Sequence, residues 1–141
     1  MDGLYNTDIL TLAATIEHLG QLQAPQGSAR KVSKLCGSWV EVDVNMDGET
    51  VSKFAIRLQA CALGQASASI LSQNAIGATF TELGTARDAL KAMLKDGAPA
   101  PQGRFAELVK LKDVANYPAR HTSTLLAFEA VLAAIAVAKS P

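Results

Sequence analysis

Aromatic side chains are scarce in this chain, 5% of 141 residues with a single tryptophan, so a recognition surface built from stacked rings is not expected. Net charge is lacking too, because 13 basic residues offset 13 acidic ones and the cations form no stripe. Nucleic acid and anionic membrane both require clustered lysine and arginine and are poor partners for such a chain. No basic segment followed by an apolar run opens the sequence, which argues against a secretory signal. The longest apolar stretch, Leu125 to Ala138, is short for a bilayer and contains Glu129. Cysteine is limited to Cys36 and Cys61. Together these absences indicate a cytoplasmic protein whose two cysteines are thiols or metal ligands rather than a structural bridge.

Alanine and aliphatic residues dominate the hydrophobic fraction of 49%, a composition suited to closely packed helices. The length fits one domain over residues 1–141. A first helix is expected from Asn6 or Thr7 to His18, with Ile9, Leu12, Ala13 and Ile16 at helical spacing and Gly20 closing it. Gln21 to Lys34 is polar and reads as a loop into a weak edge strand near Val32 to Leu35. Val40, Val42 and Val44 alternate with polar residues, as do Phe54, Ile56 and Leu58, so two strands flank the Asp47-Gly48 turn. For the apolar sets to share a face, Val42 should oppose Phe54, which extends to Cys36 opposite Ala60. Both cysteines then lie at one end of the hairpin.

A helix of very small residues follows Cys61. Thr79 and Glu82 have capping-box spacing and start another, with Leu83, Ala86, Leu90 and Met93 as its stripe. A short helix is expected around Phe105, Leu108 and Val109. After Pro118 comes a long, largely buried helix through Leu125, Phe128, Leu132 and Ile135. The expected class is α+β, a small antiparallel three-stranded sheet with helices packed on one face.

Cys61 is the most informative residue for function, since it begins a helix, where free backbone N–H groups and the dipole meet an anion. An isolated cysteine is often only a small buried hydrophobe, but Cys36, followed by Gly37, is placed near it. Two sulfurs do not complete a tetrahedral site, and His121 is the nearest further candidate, although a histidine at a helix start more often caps. Asp43, Asp47 and Glu49 read as solvated strand and turn positions, and His18 as a residue meeting a helix C-terminus. Ser67, Ser69 and Ser72 are explained by packing.

Leu35-Cys36-Gly37-Ser38, the hairpin after it, and Ala60-Cys61-Ala62-Leu63-Gly64-Gln65-Ala66-Ser67-Ala68-Ser69 resemble the iron–sulfur scaffold family of IscU, SufU and the NifU N-terminal domain. The resemblance extends from Tyr5 to Ala138. It implies a scaffold, not an enzyme, that holds a transient [2Fe–2S] cluster, iron or zinc through Cys36 and Cys61, with His121 as a further metal ligand. Implied partners are a cysteine desulfurase and cluster-acceptor proteins, the chain itself being a monomer or weak dimer. Arg120 matches a basic residue of SufU-like members. The family's Cys-Gly-Asp reads Cys36-Gly37-Ser38 here, its third cysteine falls on Ser123, and the histidine preceding that cysteine falls on Thr122. Asn116-Tyr117-Pro118-Ala119-Arg120 replaces the Leu-Pro-Pro-Val-Lys chaperone motif. A member that keeps the fold as an interaction module without metal is the alternative, and an enzyme with a cysteine nucleophile ranks last, since it needs a base and an orienter.

Overall fold

The computed structural model describes residues 4–35 and 37–140. Its elements in chain order are α1 (Thr7–Ala13), β1 (Gly27–Val32), β2 (Trp39–Asp47), β3 (Thr50–Gln59), α2 (Ala62–Asn74) and α3 (Phe80–Asp96). Two 3₁₀ segments, Gly103–Asn116 and Pro118–Arg120, lead into α4 (His121–Lys139). The strands form one antiparallel sheet in the order β1-β2-β3, and α4 packs across β1 and β2. The expected α+β class with a three-stranded sheet and helices on one face is therefore the architecture found.

The apolar alternation of β2 and β3 sets the covered face. Val40, Val42, Val44 and Ile56 are completely buried and Phe54 nearly so. Their register differs from the sequence expectation by two residues: Val42 pairs with Ile56 and Val44 with Phe54. The turn closes at Asp47↔Thr50, and a β-bulge between Asn45 and Met46 inserts a further residue. A two-residue shift keeps every side chain on its own face, so the hydrophobic pattern could not register it. The ladder ends at Trp39↔Gln59; the expected pairing of Cys36 with Ala60 involves a residue outside the described ones.

Strand β1 lies earlier than Val32–Leu35, because backbone proximity rather than side-chain pattern places it. A Cβ on Gly27 would lie 2.0 Å from the Ala134 carbonyl oxygen, so only glycine lets β1 start directly against α4. The first helix is shorter than expected and ends at Ala13. Beyond it, His18 adopts φ 59°. Its carbonyl accepts from Ile56 N–H at 2.9 Å, and Gly20 N–H donates to Ile56 O at 2.9 Å. This segment covers the outer edge of β3, which would otherwise be open to pairing.

Asp43 is not a solvated strand residue. It is 2% exposed on the second face of the sheet and accepts from Ser28 Oγ (2.6 Å), Leu22 N–H (3.0 Å) and both terminal nitrogens of Arg57 (3.1 and 3.0 Å). Burial pushes its carboxyl up, but the bonds from Arg57, Ser28 and Leu22 and the Arg57 charge outweigh this and hold it below the usual carboxylate range. The network ties the loop after α1 to the sheet.

The capping box of α3 is present: Thr79 Oγ1 accepts from Glu82 N–H, and Glu82 accepts from Thr79 N–H, both at 3.0 Å. Around Phe105 the expected short helix is a longer 3₁₀ segment, kinked at Phe105, whose backbone leaves helical values (φ −110°, ψ 27°). Its buried residues Phe105, Leu108, Leu111 and Val114 recur every third position, which matches a helix of three residues per turn. That period was legible in the sequence. Phe105 meets Phe128 edge-to-face at 5.6 Å, joining the segment to α4. The 22 residues Pro118–Lys139 are long and apolar enough to cross a membrane by length and composition, yet 67% of the most apolar 18-residue window within them is buried in the fold.

Candidate thiol site

The site forms where β3 hands over to α2. Cys61 is the N-cap of α2, with extended backbone (φ −68°, ψ 171°), and its side chain makes no capping bond. The thiol is thus left for other use. One turn on, Gly64 faces the first turn of α4; a Cβ there would lie 2.9 Å from the Ala60 side chain and 3.2 Å from the Ser123 carbonyl oxygen. Without a side chain at 64, α2 and α4 approach until Cys61 Sγ lies 3.9 Å from Ser123 Oγ.

Ser123 is buried at 2% exposure and gives its hydroxyl proton to Arg120 O at 3.1 Å. Since a hydroxyl has one proton to give, the bond to Cys61 has the thiol as donor. A thiolate at 61 would require Ser123 to turn its proton from Arg120 towards sulfur. Thr124 Oγ1 also donates to Arg120 O, at 2.7 Å, which pins the α4 start to the turn before it.

Cys61, Gly37, Ser38, Gln59, Ala60 and Arg120 line an open cavity of about 330 Å³. Gly37 has φ 72°, a left-handed conformation favouring glycine, and its N–H donates to Ser33 O while Ser33 N–H donates to Ser38 O, both at 2.8 Å. Those bonds close the connection between β1 and β2 and set buried Ser38 at the cavity. Cys36 lies outside the described residues. Of the positions that match the family's Cys-Gly-Asp aspartate and third cysteine, Ser38 shares the cavity with Cys61 and Ser123 touches the Cys61 thiol.

His121 is nearly buried, at 8% exposure, and its Nε2 lies 3.0 Å from Val114 O. A carbonyl only accepts, so Nε2 carries the proton and Nδ1 keeps the lone pair in the neutral ring. His121 is not among the residues lining the Cys61 cavity. Among the described residues no three His, Cys, Asp or Glu side chains gather as a metal-binding group. His18, expected at a helix end, instead lies edge-on to Phe54 at 6.2 Å. The role of Gly64 was missed in the sequence, where its signal was a glycine inside a helix on the same face as the cysteine.

No protein-family model and no curated protein matches the chain. Among solved structures, the N-terminal part of a nitrogen-fixing NifU-like protein from Brucella abortus is 48% identical, with TM-score 0.95 over 98% of this chain and 96% of its own. A protein described only as hypothetical is 24% identical, with TM-score 0.84 over 96% of this chain and 99% of its own. A candidate iron–sulfur cluster assembly scaffold protein of the SUF system, from thermophilic Fervidobacterium islandicum AW-1, is 21% identical, with TM-score 0.85 over 94% and 97%. The last two establish likeness of fold. The Brucella relative places the chain: it belongs to the family of NifU-like N-terminal domains.

Proposed function

We propose that this protein is an iron–sulfur cluster assembly scaffold or carrier of the cytoplasm, a reducing compartment that keeps its thiols free. Its cargo is a [2Fe–2S] cluster, iron or zinc, held briefly by Cys36 and Cys61. The observation that carries this reading is that Cys61, 3.9 Å from Ser123 Oγ, opens onto a cavity that Ser38 also lines. The donor set is two thiolates and two neutral hydroxyls. Hydroxyls bind soft metals much less well than thiolates, so the set suits cargo in transit rather than a resident metal. As a further donor His121 would offer Nδ1, and would have to turn toward the cavity, which it does not line. Its Nε2–H bond to Val114 O supports that role, because a metal-binding histidine ordinarily gives its other N–H to such an acceptor.

The partners are a cysteine desulfurase and cluster-acceptor proteins, and the role is that of carrier rather than catalyst. The test is anaerobic reconstitution with ferrous iron, sulfide and a desulfurase, followed by metal analysis and visible absorption. The expected result is metal uptake that disappears in Cys61→Ser and Cys36→Ser. A colourless wild-type chain that binds neither iron nor zinc overturns the reading. The second reading, a metal-free interaction module for assembly proteins, is favoured specifically by Ser38 and Ser123 at ligand positions; retained desulfurase binding in the double-serine variant would support it.

A further inference from the structure

On the outer side of α4, the end of β1 and the second half of α3 flank an open groove of about 300 Å³. Leu125 and Leu126 form its floor, Lys31 and Val32 border it from β1, and Lys91 and Lys95 from α3. All three lysines are exposed, and none has an ion-pair or hydrogen-bond partner among the described residues. The acidic residue in the groove, Glu129, is already engaged by Arg87. The groove is therefore locally positive in a chain of zero net charge. Its β1 end is also apolar: Val32 is 53% exposed, and Leu35, three residues on, is 76% exposed.

We propose that this groove docks an acidic segment of a partner protein, with carboxylates meeting Lys31, Lys91 and Lys95 and an aliphatic side chain seated against Val32, Leu125 and Leu126. Exposed cations around an apolar floor steer an acidic partner and fix its register, while the floor supplies the desolvated contact. Three lysines beside a glutamate are too few for a phosphate backbone, which needs a longer track of cations. Thr122 lines the groove and Ser123 touches Cys61, so a docked segment lies beside the thiol site. The inference holds whether or not Cys61 carries metal.

The test is fluorescence anisotropy on the full chain with three labelled ten-residue peptides, of alternating Glu and Leu, Glu and Ser, and Lys and Leu. The Glu–Leu peptide is expected to bind best and to weaken with salt. Lys91→Glu/Lys95→Glu should cost about tenfold or more in affinity, as loss of charge complementarity does. Lys53→Glu/Lys112→Glu, which changes net charge equally elsewhere, should retain binding, and Val32→Ser should weaken the Glu–Leu peptide selectively. Equal binding of the Glu–Ser peptide would mean diffuse attraction of any polyanion and overturn the proposal. So would equal losses in the two double variants, or sedimentation showing self-association that the groove variant abolishes, which would make a second copy the occupant.

Discussion

Replacing Ser123 with cysteine should turn a weak donor pair into a chelating one. Tetrahedral zinc with Zn–S bonds of about 2.3 Å holds two sulfur ligands roughly 3.8 Å apart, and Cys61 Sγ and Ser123 Oγ are 3.9 Å apart. The separation already suits one ion, so the substitution changes the donor without requiring α2 or α4 to move. Four-ligand structural zinc sites are worth about 10–16 kcal/mol, roughly 3 kcal/mol for each ligand. At about 1.4 kcal/mol per decade, the gain in zinc affinity should be on the order of a hundredfold. The assay is anaerobic zinc competition against a chromophoric chelator, with cobalt substitution to read thiolate-to-metal charge transfer. Reductant must be present, because the same two sulfurs would need only to close to about 2.05 Å to form a disulfide. An affinity within about threefold of wild type would refute the reasoning, as would a gain that persists in Cys61→Ser, since the benefit depends on both sulfurs sharing one ion.

Two further perturbations follow from the packing. Gly64→Ala places a Cβ 3.2 Å from the Ser123 carbonyl and 2.9 Å from the Ala60 side chain, and overpacking of this kind costs roughly 1–3 kcal/mol. It should lower the melting temperature and reduce the zinc-affinity gain of Ser123→Cys when the two are combined; full additivity would show that helix approach does not set the site. The folded Asp43 carboxyl lies below its ordinary value of 3.8, so its contribution to stability is present above that value and is lost as pH falls through the lower folded one. Arg57→Ala removes the main offset to burial. Denaturation by urea should then show a loss of about 2–4 kcal/mol at neutral pH, somewhat under the full cost of breaking a buried pair because Arg57 is 27% exposed, with the acid-induced loss moved to higher pH. An unchanged acid midpoint would mean that Ser28 and Leu22 alone hold the carboxylate.

Side-chain periodicity by itself determined the strands of the hairpin, the capping-box start of α3 and the buried character of α4, because each is written in neighbouring residues. The position of Cys61 at a strand-to-helix junction belongs with these. Tertiary structure decided the rest. The β2–β3 register moved by two residues, one from a turn one residue tighter than expected and one from the bulge, and a shift of two is invisible to a pattern of period two; the placement of β1 depended on Gly27 meeting the backbone of α4. Asp43 looked like any polar strand residue until Arg57, Ser28 and the Leu22 amide converged on it. The juxtaposition of Cys61 with Ser123 was likewise a matter of packing, since a missing side chain at Gly64, one turn along α2, allowed two helices remote in sequence to bring a sulfur and an oxygen within 3.9 Å.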